Sequence, residues 1–297
     1  MKQPVFIGAA TAIVTPFSDG LLDQESYLGL LRLQAESEVN AIVVCGTTGE
    51  ASTLSSQERK TLYHLTHTYL NGKKKWIAGI GTNSTSTSIA LAKEAQEAGA
   101  DALLAVTPYY NKCTQNGLIE HYTAIADSTD LPLILYNVPS RTGVDISPES
   151  CKILSQHPRI NGIKEAGGSI SKVLAIRSLC GDQLHIWSGN DDQTVPIMAL
   201  GGKGDISVLS NLCPNRVAKL CKACLIEDYR LASQLQCRAL PLIKQLFCEV
   251  NPIPVKAALA SWHLCKNELR LPLTAISEAN KHALIKSLSD YLTFPGE

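Results

Sequence analysis

The segment AIVVCGTTGEASTLSSQERKTLYHLTHTYL, residues 41–70, contains the unit that decides the fold. Its first five residues, Ala41–Cys45, form a continuous apolar run, which is typical of a parallel strand covered on both faces. The stretch Gly46–Glu50 predicts a loop, and the amphipathic pattern of Ser56–Leu70 predicts a helix. The segment therefore predicts one strand, one loop and one helix in succession.

The same alternation recurs along the first three-quarters of the chain. The other predicted strands are Gly8–Val14, Trp76–Ile80, Ala102–Val106, Leu133–Tyr136, Asn161–Lys164, Leu184–Trp187 and Gly204–Val208. The other predicted helices are Gln24–Glu38, Thr85–Ala98, Gly117–Ala126, Pro148–Gln156, Ile170–Leu179, Asp192–Leu200 and Pro214–Leu225. Eight such units predict an α/β fold, a closed (β/α)8 TIM barrel. An open doubly wound sheet shares the alternation, but the chain lacks the glycine-rich dinucleotide fingerprint of that fold.

From Glu227 the strand patterns stop, and helical patterns continue to Tyr291. We therefore predict two parts. A barrel that carries the active site spans residues 1–226, and an all-helical C-terminal appendage spans residues 227–297.

The composition excludes several classes of protein. Lys and Arg number 27, as do Asp and Glu, so no overall field would attract nucleic acid or an anionic membrane. No apolar stretch is long enough to span a bilayer. The ten cysteines are scattered, and the close pair Cys221 and Cys224 falls in a predicted helix without further metal ligands nearby. We predict a cytoplasmic protein with reduced thiols, no metal, and neither a nucleic-acid nor a membrane partner.

In a TIM barrel the reacting groups come from the C-terminal ends of the strands and the loops that follow them. Lys164 stands at such a place, at the end of the apolar run that begins at Ile160. Removing an ammonium from water favours its uncharged form, and a free amine forms an imine with a carbonyl substrate. Alternatively, a lysine at a strand end extends to solvent or pairs with a neighbour such as Glu165.

Other strand ends carry groups that suit a small acid as substrate. Loop Gly46–Gly49 offers backbone N–H groups and two hydroxyls that could hold a carboxylate. Tyr136 and Thr47 could move a proton over the imine carbon, and Arg141 could clamp a second carboxylate. Each has a structural alternative: an ordinary turn, a core tyrosine, or an arginine in a salt bridge.

Five segments carry a resemblance to a known family. They are Gly46–Glu50, Thr107–Asn111, Tyr136–Gly143, Gly162–Ala166 and Asn251–Lys256. In sequence and order they resemble the dihydrodipicolinate synthase family, over nearly the whole chain. The resemblance implies a class I aldolase-type Schiff-base lyase of lysine and diaminopimelate biosynthesis. Such an enzyme condenses pyruvate with L-aspartate 4-semialdehyde, needs no cofactor, and is usually a homotetramer built from tight dimers.

The resemblance also implies roles for individual residues. Lys164 would form the imine with pyruvate. Tyr136, Thr47 and Tyr110 match the proton relay of the family, in which the counterpart of Tyr110 enters from a neighbouring subunit. The substrate-binding positions are Thr48, Arg141, Gly189 and Ile206, with Arg141 receiving the carboxylate of the semialdehyde.

One region departs from the family pattern. The positions that match a lysine effector site in the family are Ala51, Ser52, Ser56, Arg59, Asn83, Thr87 and Tyr109. Lysine-inhibited relatives present a carboxylate and histidines there, whereas this chain has Thr87, Ser56 and Arg59. Threonine supplies no negative charge for an ammonium, and Arg59 repels one. We therefore predict weak or absent feedback inhibition by L-lysine.

Three other functions share part of this evidence. N-acetylneuraminate lyase or a keto-deoxy-sugar aldolase would share the lysine and the tyrosine, but generally differ at the positions of Thr47 and Arg141. A barrel that only binds a keto acid would not need every reacting group. A phosphate-binding barrel enzyme would need a glycine-rich loop after strands seven and eight, and the sequence has no convincing one.

Overall fold

The computed structural model of the chain describes residues 2–293. Its eight barrel strands are β1 (Gly8–Ala12), β2 (Ala41–Val44), β3 (Lys75–Gly79), β4 (Ala102–Val106), β5 (Leu133–Asn137), β6 (Ile160–Glu165), β7 (His185–Ser188) and β8 (Gly204–Ser207). All neighbours pair in parallel, and β1 pairs with both β2 and β8, which closes the ring. A short hairpin of Phe17–Ser18 and Leu21–Leu22 lies outside the barrel. The predicted TIM barrel is confirmed.

Eight longer helices follow the strands in the predicted order, and a single unpredicted helical turn, Pro139–Thr142, follows β5. The eight helices are α1 (Gln24–Glu36), α2 (Ser56–Leu70), α3 (Thr85–Glu97), α4 (Gln115–Asp127), α5 (Pro148–Leu154), α6 (Ile170–Cys180), α7 (Thr194–Ala199) and α8 (Pro214–Leu225). The predicted ends differ by a few residues. Strand β2 ends one residue early because Cys45 has a left-handed φ of 55°. Helix α7 is shorter than predicted because Asp191–Gln193 forms a 3-10 turn instead.

The interior of the barrel is filled at the end opposite the loops that carry the candidate residues. Trp187 is fully buried there, and Phe6 stacks on it with ring centroids 5.1 Å apart. The position of the Trp187 ring requires a glycine at residue 162, because a Cβ there would lie 2.5 Å from an atom of the ring. The two stacked rings thus fill the interior beside Gly162, two residues before Lys164 on β6.

Three further helices form the C-terminal part, which confirms the predicted helical appendage. They are α9 (Tyr229–Leu246), α10 (Ile253–Ser261) and α11 (Glu278–Leu292). Their buried residues, such as Leu242, Leu259 and Leu284, belong to the same hydrophobic cluster as the barrel helices. The division at residues 226 and 227 remains a prediction. None of the helices described is long and apolar enough to cross a membrane.

Candidate active site

Lys164 points into the barrel from β6. Its side chain is 5% exposed, and its Nζ lies 4.4 Å from the centre of the Tyr136 ring. The two residues are register partners on the neighbouring strands β5 and β6, so both project to the same face. Gly189, at the end of β7, leaves room for the lysine, since a Cβ there would lie 2.9 Å from Lys164 Cε. The structure therefore brings together the predicted imine-forming amine, a phenol and the glycine beside them.

The neighbouring carboxylate does not reach this amine. Successive residues of a strand point to opposite faces, and Glu165 faces outward. It accepts hydrogen bonds from Asn137 Nδ2 at 3.0 Å and from the Gly167 N–H at 2.6 Å, and lies 3.7 Å from Lys172 Nζ. Burial raises the pKa of Glu165, and Lys172 opposes that shift. No ion pair involves Lys164 within residues 2–293, which excludes the alternative in which Lys164 pairs with Glu165.

The loop after β2 holds two threonines in a tight turn. The N–H groups of Gly49 and Glu50 donate to the carbonyls of Gly46 and Thr47, both at 3.1 Å. Those two N–H groups are therefore unavailable to a ligand. The N–H groups of Thr47 and Thr48 have no partner in the part of the chain that the structure describes. Of the loop groups predicted to bind a carboxylate, only these two N–H groups and the threonine hydroxyls remain as candidates.

Asn251 links this loop to Arg141, a contact that sequence reasoning missed. Its side-chain Nδ2 donates to Thr48 Oγ1 at 3.0 Å, and its backbone carbonyl oxygen accepts from Arg141 Nη2 at 3.2 Å. Arg141 is exposed and forms no ion pair with a described carboxylate, so the salt-bridge alternative does not apply. The only signal for Asn251 was its place in the segment Asn251–Lys256 that resembles the family.

A cavity of about 560 Å³ opens beside these residues. Thr47, Tyr136, Arg141 and Asn251 line one part of it. The other part is lined by predicted effector residues, namely Ala51, Ser52, Ser56, Arg59, Thr87 and Tyr109. Thr47, Tyr136 and Arg141 thus share one space with most of the predicted effector positions, whereas Lys164, Thr48, Gly189 and Ile206 are not among the residues that line it.

Two predicted effector residues have contacts that limit their role. Arg59 is buried, and its guanidinium donates to the carbonyls of Gly79 at 2.9 Å and Ala51 at 3.0 Å. Asn83 does not line the cavity, and its carbonyl accepts from Asn111 Nδ2 at 2.9 Å. Arg59 is thus a buried cation with no described carboxylate in an ion pair with it.

Two other predicted residues occupy contrasting positions. Ile206, on β8, is 1% exposed and belongs to the same interior cluster as Tyr136. Tyr110, in the loop after β4, is 92% exposed, and its φ of 72° is unusual for a tyrosine. Its hydroxyl makes no hydrogen bond within residues 2–293. Tyr110 therefore stands apart from the other site residues of its own chain.

Comparison with known proteins shows to which family the chain belongs. The model of the Dihydrodipicolinate synthetase family matches residues 5–291. The chain belongs to this family. A family relative from Alkaliphilus oremlandii, named 4-hydroxy-tetrahydrodipicolinate synthase, is 47% identical over 284 residues, which are 96% of this chain and 98% of that protein. The relative's name supports an enzymatic function for this member of the family.

Solved structures of the family have the same fold. The crystal structure of dihydrodipicolinate synthase from Thermotoga maritima matches with a TM-score of 0.95 and 44% identity, covering 97% of this chain and 99% of that one. The chloride-inhibited dihydrodipicolinate synthase from Acinetobacter baumannii, in complex with pyruvate, matches with a TM-score of 0.95 and 42% identity, covering 97% and 100%. The family resemblance found in the motifs is confirmed.

Proposed function

We propose that this protein is a 4-hydroxy-tetrahydrodipicolinate synthase, which condenses pyruvate with L-aspartate 4-semialdehyde through an imine on Lys164. The observation that carries the proposal is the buried Lys164 amine, which forms no ion pair with a described residue and lies 4.4 Å from the Tyr136 ring centre. The name of the Alkaliphilus relative and the pyruvate bound to the Acinetobacter relative support the same reaction. The pathway is lysine and diaminopimelate biosynthesis in the cytoplasm.

The chemistry begins at the amine. Lys164 Nζ attacks the C2 carbonyl of pyruvate, and water leaves to give an imine. Loss of a proton from C3 gives an enamine, which forms a carbon–carbon bond with the aldehyde carbon while the aldehyde oxygen gains a proton. The amino group of the semialdehyde then attacks the imine carbon, closes the ring and releases the Lys164 amine. The chain itself supplies the amine, so this sequence requires no cofactor.

The other site residues have roles that follow from their positions. The free N–H groups of the threonine loop and Thr48 hold the pyruvate carboxylate, beside Gly189 and Ile206. Tyr136 and Thr47 move protons to and from the reacting atoms. The exposed guanidinium of Arg141, which has no described acidic partner, receives the carboxylate of the semialdehyde.

Tyr110 completes the relay from a second copy of the chain. Its exposure, and a hydroxyl without a hydrogen bond to any described residue of its own chain, suit a side chain that enters the cavity of a neighbour. A dimer that exchanges these tyrosines in both directions is the minimal active unit, and two dimers form a homotetramer.

The test is reduction with borohydride in the presence of pyruvate, followed by peptide mass mapping. We expect a pyruvyl adduct on Lys164 and none on a Lys164→Ala variant. Folded protein without an adduct would favour a barrel that only binds keto acids. Comparing turnover of the semialdehyde with that of N-acetylneuraminate separates the proposed reaction from a sugar lyase. Faster turnover of the sugar acid would reject the proposed substrate.

A further inference from the structure

A buried ion pair joins the appendage to the threonine loop. Lys256, on α10, donates from Nζ to Glu50 Oε1 at 2.6 Å, and both side chains are essentially inaccessible, with exposed fractions of 0% and 1%. Glu50 is the last residue of the loop that carries Thr47 and Thr48. The two partners lie 206 residues apart in the sequence.

Both members of this pair have further partners that hold them in place. Lys256 Nζ also donates to the Thr15 carbonyl at 2.9 Å and lies 4.4 Å from the centre of the Phe17 ring. The second carboxylate oxygen of Glu50 accepts from the Arg270 N–H at 3.1 Å. A buried ion pair needs such additional hydrogen bonds to offset its removal from water.

The backbone of the loop explains why it needs an external support. Cys45 and Glu50, at its two ends, have left-handed φ values of 55° and 52°. Non-glycine residues adopt this conformation only where their surroundings hold them. The side chain of Glu50 is held by α10, and Thr48 is held by Asn251 at 3.0 Å. Both supports come from the same segment, Asn251–Lys256.

We propose that Lys256 and Asn251 are positioning residues that set the active-site threonines from outside the barrel. The inference deepens the proposed function and rests on it for its catalytic consequence. Lys256 is not among the residues that line the cavity, and it acts through Glu50 on the free N–H groups of Thr47 and Thr48. The appendage is thereby a working part of the active site.

The test compares wild type, the double variant Glu50→Gln/Lys256→Met, and Ile125→Ala. The double variant removes both charges with side chains of similar size, so that no unpaired charge is left buried. Ile125 is fully buried near the end of α4 that lies at the bottom of the barrel. Its truncation lowers stability without touching the loop, and so provides the control for a merely structural effect.

Two measurements test whether the ion pair positions the threonine loop. Hydrogen exchange reports on the loop directly, since the N–H groups of Gly49 and Glu50 are bonded within it. We expect faster exchange over residues 46–53 in the double variant and wild-type exchange there in Ile125→Ala. At saturating pyruvate, the rate of borohydride-trapped imine should fall about 10- to 100-fold in the double variant alone, as misplacement by about 1 Å predicts.

The two possible failures are distinguishable. Unchanged loop exchange in the double variant would overturn the positioning role, whether or not an imine forms. Unchanged trapping in a variant with a loosened loop would overturn its catalytic consequence. A wild-type protein that traps no pyruvate would reject the proposed function, while the exchange result would still decide the positioning role. Asn251→Ala should loosen the same loop segment, and an effect confined to other segments would count against the proposal.

Discussion

Gly189 packs directly against the side chain of Lys164: a Cβ on residue 189 would lie 2.9 Å from Lys164 Cε and 2.8 Å from Ala166 Cβ. Contacts this short force a neighbouring atom to move. The flexible lysine side chain would be pushed aside, and because Ala166 Cβ is attached directly to the backbone, the end of β6 would shift as well. The position of the amine thus depends on the absence of one methyl group at the end of β7.

The first prediction is that Gly189→Ala slows imine formation about 10- to 100-fold, because the displaced amine no longer meets the carbonyl carbon correctly. The measurement is the rate of borohydride trapping with pyruvate. Gly29→Ala is the matched control, since a Cβ on this α1 residue meets nothing within 4 Å. A trapping rate equal to that of Gly29→Ala would show that residue 189 does not set the amine.

The second prediction concerns the exchange of Tyr110 between subunits. Lys164→Ala and Tyr110→Phe proteins should each have low activity alone. A mixed dimer contains one site with an intact Lys164 and with Tyr110 from its partner. Co-expression in equal amounts should restore on the order of a quarter of wild-type activity, because half the dimers are mixed and half of their sites are complete. No gain over the separate variants would mean that Tyr110 acts in its own chain or not at all.

The third prediction is that L-lysine inhibits weakly or not at all. Thr87 lines the cavity but has no charge, and buried Arg59 adds a positive one. Half-inhibition at sub-millimolar L-lysine in an activity assay would contradict this. Thr87→Glu should tighten lysine binding by calorimetry, since it supplies the missing carboxylate, and Thr87→Gln is the control of similar size without the charge.

The fold could be predicted from the sequence because its signals are local. Each strand is a continuous apolar run, and each helix that follows has its own periodicity. Strand ends cannot be predicted to the residue, since nothing in the sequence requires Cys45 to adopt a left-handed φ. Strand order places Lys164 and Tyr136 on neighbouring strands, but their pairing also depends on a one-residue register shift between Leu133 and Ile134, which the sequence does not reveal.

The rest of the site depends on contacts between distant parts of the chain. Asn251 meets Thr48 across 203 residues, and Lys256 meets Glu50 across 206. No pattern within a window of sequence encodes such a meeting, so reasoning from composition and periodicity could not find it. The resemblance to the family marked the segment that contains both residues, but gave no physical reason for them.

The fourth prediction is a loss of stability in acid through Glu58. Hydrogen bonding from Arg270 is the largest cause that lowers the pKa of Glu58, from 4.5 to about 2. Arg270 also donates to the Thr53 carbonyl at 3.0 Å and lies 4.1 Å from the centre of the Phe17 ring. These contacts fix the position of its guanidinium beside Glu58. Because the folded pKa is depressed, the stabilisation is present above pH 4.5 and is lost as the pH falls towards 2.

The size of this effect is about 1–3 kcal/mol, since the pair is partly exposed. Urea unfolding at pH 7, 5, 4 and 3 measures it. The wild-type free energy of unfolding should fall more steeply below pH 5 than that of Glu58→Gln, in which the titrating group is absent. Parallel curves for the two proteins would show that the Arg270 contact contributes nothing to the pH dependence.

The last prediction separates the two substrates at Arg141. Its guanidinium is exposed, lines the cavity and donates one hydrogen bond to the backbone carbonyl of Asn251. Its other N–H groups can therefore bind a carboxylate in a bidentate manner. Hydrogen bonds to charged groups contribute about 1.5–3 kcal/mol, so Arg141→Ala should lower kcat/KM for the semialdehyde about 10- to 100-fold. Trapping of pyruvate on Lys164 should remain at the wild-type rate, because the first carboxylate lies on the threonine loop. Arg141→Lys keeps the charge but not the fork, and an intermediate loss would separate charge from geometry. Equal losses for both substrates would instead mean that Arg141 supports the whole site through Asn251.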